Sequence, residues 1–296
     1  MRSIKLSYII STRNRLHFLK ISLKYLFENI NEDEEIVIVD GDSSDGTKDY
    51  IKYLYEQKKI HLFISESDQN QAHAWNKAIL LARGELIKKV IDDDLFCFSA
   101  IQDCKKFMLE NPSVDLCISD TLGTNLADYK NISKESRLKQ YLDWKNGITK
   151  SFTFGDVSLL LRKSSISYLG LYDTSFVMLD YEYSLRVSYL RSNIAYYTGF
   201  NAMSIFNPNS ISSNVTSDIL KLESKRANPM YEYGGDGKEI SLFSKIKIFI
   251  GKSLYKLKKW NTTHPTRNID SSYDLDSIYD FCYQYIDNIN KNGEFL

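Results

Sequence analysis

The chain has 296 residues, and its 38 lysines and arginines balance 38 aspartates and glutamates, so the formal net charge is zero. With 43 % hydrophobic and 26 % charged residues the chain can bury a core, which excludes an intrinsically disordered protein. The length fits one large domain or two modest ones, and the neutral total argues against a dedicated nucleic-acid-binding protein, which usually has a basic excess.

Membrane-spanning, secreted and zinc-binding proteins are also disfavoured. No stretch approaches the ~18 uncharged apolar residues that a spanning helix needs. Residues 1–15 turn polar too soon for a signal peptide and predict a first strand instead. The four cysteines and four histidines form no metal-binding or disulfide pattern. We therefore expect a cytoplasmic protein with reduced thiols.

The first 120 residues alternate between apolar runs and segments whose apolar residues recur at helical spacing. This alternation predicts an α/β fold, with a mostly parallel sheet and helices on both faces. Gly84 is expected to end the third helix. The predicted strands are 4–11, 35–40, 60–65, 86–91 and 115–119, and the predicted helices are 16–29, 47–57, 71–83 and 99–110.

The remaining residues are less regular. A polar stretch with several prolines and glycines, 207–237, predicts a long loop or linker. The predicted helices here are 131–144 and 180–191, and the predicted strands are 156–162, 195–197 and 202–206.

The zero net charge conceals a basic segment near the C-terminus. Residues 238–260 carry seven lysines and one glutamate, whereas residues 261–296 carry a net charge of −4. Apolar residues at helical spacing within 242–260 predict an amphipathic helix. Such a helix would lie on an anionic membrane surface or pack its apolar stripe on the main domain, and the sequence leaves both open.

Polar clusters follow three of the predicted strands, at 11–14, 40–43 and 92–94. Because ligands of open α/β sheets bind at the carboxyl ends of the strands, we expect the three clusters to meet at one edge. Asp40 and Asp42 are candidates to accept hydrogen bonds from a nucleotide base or ribose. Residues 43–47 are better explained as a turn and a helix N-cap.

Asp92, Asp93 and Asp94 are three adjacent carboxylates, which repel one another unless a cation lies nearby. Magnesium or manganese is normally held by one or two carboxylates together with substrate phosphates. A simpler interpretation is a solvated acidic loop that precedes a helix. The sequence alone leaves the two interpretations about equal.

Residues 39–47, VDGDSSDGT, resemble the VDGGSTDGT segment of glycosyltransferase family 2, a family of inverting enzymes with the GT-A fold. Further similar segments occur in the family's order, and 91–94 lies where the family has its DxD motif. They are 9–15, 65–69, 74–78, 82–87, 159–164, 169–176, 180–186 and 204–213.

The resemblance implies a Rossmann-like GT-A fold with a mainly helical C-terminal extension. It divides the chain into a nucleotide-sugar-binding half (1–120), an acceptor-binding half (121–215) and a C-terminal linker with helices (216–296).

The resemblance also assigns site residues and ligands. The donor would be a nucleotide sugar, with UDP expected as the nucleotide, and manganese or magnesium would lie on its diphosphate. Asp180 would be the general base, with Glu182 as the fallback; Asp180 could equally be a helix N-cap. The implied nucleotide-binding residues are Ser11, Arg13, Asp40, Asp42, Asp92 and Asp93, and the implied metal ligands are Asp94 and Asp92.

The chain also departs from the family pattern. Leu179 stands where many members have glutamate, and Asp156 stands where others have histidine or glutamine. The chain contains no QxxRW segment, which favours addition of a single sugar over polysaccharide synthesis. The expected acceptor is a glycan or lipid-linked glycan of the lipopolysaccharide or capsule type. The protein itself is expected in the cytoplasm or peripherally on the inner face of the cytoplasmic membrane.

Two other classes of function stay open. A nucleotide-sugar-binding protein without activity would keep the strand-end clusters. A nucleotidyltransferase would use a similar sheet, but it would need a glycine-rich phosphate loop near the N-terminus, and IISTRNR contains no glycine.

Overall fold

The computed structural model describes residues 3–206, 216–235, 273–290 and 293–296. The strands are β1 (Leu6–Thr12), β2 (Glu34–Asp40), β3 (Leu62–Ser65), β4 (Leu86–Val90), β5 (Leu95–Phe96), β6 (Leu116–Asn125), β7 (Ser133–Glu135), β8 (Leu160–Arg162) and β9 (Ile194–Phe206). The helices are α1 (Leu16–Asn29), α2 (Thr47–Glu56), α3 (Gln71–Leu81), α4 (Phe98–Glu110), α5 (Leu138–Lys145), α6 (Ile166–Leu169), α7 (Leu179–Tyr189), α8 (Ser217–Met230) and α9 (Leu275–Ile289).

Within these residues, one sheet has the strand order β3-β2-β1-β4-β8-β6-β9-β5, with β7 paired to β6. The first four strands are parallel, as predicted, whereas β8 runs antiparallel to both of its neighbours. The chain proceeds outwards from β1 to β3 and then returns to place β4 on the other side of β1. Their carboxyl ends therefore flank a point where the strand order reverses, which is where open α/β sheets bind ligands.

The first half of the chain consists of buried strands and amphipathic helices, as its sequence pattern predicts. β2 is buried at all seven positions, and α1 buries the apolar face that its spacing predicts. The bounds predicted for α1 are confirmed to the residue. Gly84 does not end α3, which stops at Leu81, so that prediction is wrong. A Cβ at Gly84 would lie 2.6 Å from the backbone nitrogen of Ser7, so this position needs glycine for the close approach of β1.

The second half differs more from expectation. The helix predicted at 131–144 is replaced by the short strand β7 and the later helix α5, because β7 pairs with 121–123 of β6. The two strands predicted within 195–206 form the single strand β9, which has a register irregularity opposite Asp120. The apolar pattern predicts a strand that ends at Ser119, but β6 continues through mostly polar residues to Asn125. The predicted boundary at residue 120 consequently falls inside β6.

Part of the predicted loop 207–237 is helical. Thr216 caps α8 by accepting a hydrogen bond from the Ile219 N–H. The helix is hard to recognise because its buried side chains are mainly Glu223 and Ala227, which give no continuous apolar stripe. The predicted amphipathic helix 242–260 lies outside the described residues.

The C-terminal helix α9 belongs to the main core. Its buried side chains join the apolar cluster that also contains β1, α1 and α4; they are Leu275, Ile278, Tyr279, Cys282, Tyr283 and Ile286. The described helices include none with both the length and the apolar character needed to cross a bilayer.

We expect Ile286→Ala to lower the free energy of unfolding by about 2–5 kcal/mol, because it leaves a cavity in a packed core. Gln284→Ala on the exposed face of the same helix should change it by less than about 0.5 kcal/mol. Urea unfolding measures both changes. Equal small effects for the two variants would contradict the placement of α9 in the core.

Candidate active site

An open cleft of about 1260 Å³ lies at the carboxyl edge of the sheet, beside the ends of β1 and β4. Side chains from both halves of the chain line it, which places Asp93 and Asp94 in one space with Asp180. Its charged lining residues are Arg15, Lys89, Asp93, Asp94, Glu135, Arg137, Asp156 and Asp180.

Asp92 points away from this cleft. Its side chain is nearly inaccessible, at 2 % exposure. One carboxylate oxygen accepts a hydrogen bond from the Thr12 hydroxyl at 2.7 Å, and the other lies 3.0 Å from Nε of Arg15. Burial raises the pKa of Asp92 to about 6, although Arg15 opposes the shift. Both oxygens of Asp92 thus have protein partners, and its predicted metal and nucleotide roles stay predictions.

Arg15 holds the aspartate loop together. Its guanidinium contacts the carboxylates of Asp92 and Asp93 and lies 5.1 Å from the ring centre of Phe18. Sequence reasoning chose Arg13 and missed Arg15, although the expected adjacency of β1 and β4 would place either arginine near the aspartates. The hydroxyl of Tyr279 in α9 supports the same loop by donating to the Asp93 carbonyl at 2.6 Å.

Asp94 is the member of the trio that fits a cation. Its Oδ1 accepts a hydrogen bond from the Ile205 N–H at 3.0 Å, while Oδ2 accepts none from the described residues. Burial, reinforced by Asp93, raises the pKa of Asp94 well above its usual value. No three His, Cys, Asp or Glu side chains of the described ranges converge as a metal cluster. Asp94 thus offers one carboxylate to the cleft.

The predicted base-reading aspartates shape a loop. Asp40 is fully buried and accepts hydrogen bonds from Ser65 Oγ at 2.7 Å and from the Ser43 N–H at 3.1 Å. Asp42 adopts the left-handed conformation, with φ of 61°, and faces solvent near Lys48. Neither residue lines the cleft. The structure therefore places them beside the end of β1 and not in the cleft that contains Asp94 and Asp180.

Ser11 and Arg13 stand at the end of β1, with Ser11 half-buried and Arg13 exposed. A Cβ at Gly41 would lie 3.2 Å from Cδ of Arg13 and 3.3 Å from Oδ2 of Asp68. The ends of β1 and β2 and the loop after β3 thus meet around a position without a side chain. Gly41 itself is buried, and the polar side chains around it are the exposed Arg13 and the half-buried Asp68.

Asp180 lies in the first turn of α7 and is not its N-cap, so that alternative is wrong. Glu223 of α8 caps the helix instead, because its carboxylate accepts hydrogen bonds from the N–H groups of Val177 and Met178 at 2.7 and 2.8 Å. This leaves the Asp180 carboxylate on the cleft wall. Sequence reasoning missed Glu223 because α8 was not recognised.

The environment of Asp180 raises its pKa to about 6, through burial and the charge of Asp156, against an opposing effect of Lys89. Lys89 is itself buried and ion-paired with Asp156. The sequence analysis noted Asp156 but missed Lys89. The available signal was a lysine pair, 88–89, within an otherwise apolar strand.

Glu182, the fallback base, faces away from the cleft. It is 1 % exposed, pairs with Arg186 at 2.8 Å and accepts a hydrogen bond from the Tyr231 hydroxyl at 2.5 Å. These contacts tie α7 to α8. Asp180 is therefore the better placed of the two carboxylates.

Comparisons with known proteins now add to the geometry. Residues 7–170, more than half of the 296-residue chain, match the model of glycosyl transferase family 2. An uncharacterized glycosyltransferase of Nostoc sp. is 33 % identical over 94 residues, which are 31 % of this chain and 29 % of that protein. One from Rickettsia bellii is 28 % identical over 111 residues, which are 38 % of this chain and 16 % of that protein. The chain thus matches less than a third of the length of these relatives.

Two solved structures have similar folds at low identity. Residues 1–349 of S. aureus TarS, in complex with UDP-GlcNAc, superpose with a TM-score of 0.59 at 16 % identity, covering 82 % of this chain and 70 % of that one. A mannosyltransferase from Pyrobaculum calidifontis, in complex with GDP-Man and Mn²⁺, gives 0.55 at 15 % identity, covering 84 % and 69 %. At these identities the likeness concerns the fold.

The raised pKa of Asp180, from 3.8 to about 6, predicts a pH-dependent stability. The folded protein binds this proton more tightly than the unfolded chain, so ionisation lowers the free energy of unfolding as pH rises from about 4 to 6. Asp180→Asn should therefore be about 1–3 kcal/mol more stable than the wild type at pH 7, with most of this gain lost at pH 4.

Urea unfolding at both pH values measures this gain, with Asp103→Asn on an exposed face of α4 as the matched control. A stability difference that is the same at pH 4 and pH 7 would contradict the assigned environment of Asp180.

Proposed function

The chain belongs to glycosyltransferase family 2 and has the predicted GT-A fold, and from that premise we propose that it transfers a single sugar from a nucleotide sugar to a hydroxyl group of an acceptor. The observation that carries this proposal is one cleft that contains both a cation-ready carboxylate, Asp94, and a carboxylate suited to accept a proton, Asp180. The non-catalytic alternative has no use for Asp180 in that place.

We propose a UDP-sugar as the donor. TarS was solved with UDP-GlcNAc and the Pyrobaculum mannosyltransferase with GDP-Man, which supports a nucleotide sugar here. The nucleotide would lie where Ser11, Arg13 and Gly41 meet, and Asp93 would face the ribose. Asp40 would act indirectly, by holding the loop that contains Gly41 through its bonds to Ser43 and Ser65.

A divalent cation, manganese or magnesium, fits the site through Asp94. Asp94 lines the cleft and its Oδ2 accepts no hydrogen bond from the described residues, so this carboxylate would hold the ion while donor phosphates supply further oxygens. When bound, such an ion offsets the negative charge of the leaving diphosphate as a Lewis acid. Asp92 is left out of this set because Thr12 and Arg15 occupy its oxygens.

Asp180 would remove the proton from the attacking hydroxyl group. A pKa of about 6 leaves this carboxylate mostly ionised at pH 7 and more basic than an ordinary aspartate. One base and one in-line displacement at the anomeric carbon give inversion. Lys89 and Asp156, which flank this base in the cleft, would not contact the leaving group in this scheme.

The acceptor is proposed to be a glycan or lipid-linked glycan of the lipopolysaccharide or capsule type. Single-sugar transfer is favoured because the sequence contains no QxxRW segment. The predicted location is the cytoplasm or the inner face of its membrane. The membrane contact rests on 242–260, which lies outside the described residues.

Asp180→Asn should lower the rate of sugar transfer by about 10²–10⁴-fold and leave donor affinity nearly unchanged, because it removes a proton acceptor and no donor contact. A donor found by thermal shift of a nucleotide-sugar panel allows both quantities to be measured. Asp103→Asn is the control. Full activity of Asp180→Asn would exclude this residue as the base.

Asp94→Asn should abolish the increase in UDP affinity that Mn²⁺ causes, because the amide carries no charge for the ion. Asp92→Asn should retain it, since Asp92 faces Thr12 and Arg15. Calorimetric titration of UDP with and without Mn²⁺ compares the variants. Loss of the effect in Asp92→Asn with retention in Asp94→Asn would reverse the assignment.

A further inference from the structure

Lys89 is one of two adjacent buried lysines on β4. All five residues of β4 are buried, and Lys89 is 5 % exposed. Its Nζ contacts the carboxylate of Asp156 and lies 4.4 Å from the ring centre of Trp75 and 5.3 Å from that of Tyr172. A buried ammonium is costly unless it is paired, so these contacts fix its position.

Asp156 belongs to the short 3-10 turn Asp156–Ser158, which joins the cleft wall to β8. It is 5 % exposed, and its Oδ2 accepts a hydrogen bond from the Tyr172 hydroxyl at 2.9 Å in addition to the contact with Lys89. The same cleft is lined by Lys89, Asp156 and Asp180. Two carboxylates thus share a poorly hydrated wall with one ammonium.

Like charges in such a wall oppose each other's ionisation, and two neighbouring carboxylates without a cation share a proton. The charge of Asp156 raises the pKa of Asp180, and that of Lys89 lowers it. Removal of Asp156 should therefore lower the pKa of Asp180, and removal of Lys89 should raise it. A role confined to packing would not produce opposite signs.

We propose that Lys89 is a positioning residue for sugar transfer: its ammonium, fixed between Trp75 and Tyr172 and paired with Asp156, is the counter-charge that keeps Asp180 ionised, so that Asp180 can accept the proton of the acceptor hydroxyl. This inference rests on the proposed function, in which Asp180 is the base. It assigns to Asp156 the task of holding Lys89 in place.

Three other titratable groups lie near the cluster of Lys89, Asp156 and Asp180. Lys88 points to the opposite side of β4, where it donates to the Val157 carbonyl and lies 4.9 Å from the ring centre of Phe96. Burial lowers the pKa of Lys88 to about 7. Burial raises the pKa values of Tyr172 and Tyr183 above their usual value, so both rings stay neutral between pH 4 and 9.

The test is a direct titration of Asp180 in the full chain without donor or acceptor. Protein labelled with ¹³C at the aspartate carboxyl carbons is followed by NMR from pH 4 to 9, and the Asp180 signal is identified by its loss in Asp180→Asn. The variants are Lys89→Met, Asp156→Asn and the double variant. Lys88→Met, the same substitution on the other face of the strand, is the matched control.

We expect Lys89→Met to raise the Asp180 midpoint by at least one pH unit and Asp156→Asn to lower it by a similar amount. The double variant, which removes one charge of each sign, should return it to within about half a unit of the wild type. Lys88→Met should leave it within the same half unit. If Lys89→Met does not fold, the downward shift in Asp156→Asn and the return in the double variant decide the question.

An Asp180 midpoint that is unmoved in both single variants, or that moves in the same direction in both, would overturn the assignment of Lys89. The titration needs no substrate, so this failure is separate from failure of the proposed function. The predicted shifts in a protein that transfers no sugar would contradict the proposed function alone. Sugar transfer with an unmoved Asp180 would contradict the role of Lys89 alone.

Discussion

The contact of Arg15 with Asp92 and Asp93 allows three adjacent aspartates to end a buried strand. Arg15 follows β1, and the aspartates follow β4, so the parallel pairing of these strands brings the opposite charges together. One guanidinium offsets part of the charge of two carboxylates, and Thr12 completes the partners of Asp92. Among the described residues, Oδ2 of Asp94 is left without a hydrogen-bond partner. The rest of the site depends on that division of roles.

The same principle recurs on the other wall of the cleft. Asp156 and Asp180 share that wall with a single cation, Lys89, and the aromatic rings of Trp75 and Tyr172 hold this cation in place. In both clusters one carboxylate is held by a neighbouring cation, Asp92 by Arg15 and Asp156 by Lys89. Another carboxylate, Asp94 or Asp180, lines the cleft. Distant elements stabilise this arrangement: Tyr279 of α9 supports the aspartate loop, and Glu223 of α8 caps the helix that carries Asp180.

The sequence pattern predicted the helices and strands whose formation depends on the spacing of their own apolar residues. The apolar spacing of 16–29 gives α1 with its observed bounds, and continuous apolar runs give the parallel strands of the first half. The resemblance to the family brought Asp94 and Asp180 to attention, and the fold places them in one cleft.

Features that depend on tertiary partners were missed. β7 forms because β6 offers an edge, and α8 is a helix whose main buried residues are a capping glutamate and an alanine. Arg15 could not be separated from Arg13 without knowing which side chain points to β4. Likewise, Asp92 and Asp94 are equivalent in the sequence, and only the contacts of Asp92 with Thr12 and Arg15 separate them.

The most direct measurement is a crystal structure of the chain with UDP and Mn²⁺. We expect the diphosphate in the cleft, the ion bonded to Oδ2 of Asp94 and to phosphate oxygens, and Asp92 still bonded to Thr12 and Arg15. The carboxylate of Asp180 should face the end of the diphosphate where the sugar would be attached. A diphosphate bound outside the cleft, or an ion bound without Asp94, would contradict this account of the site.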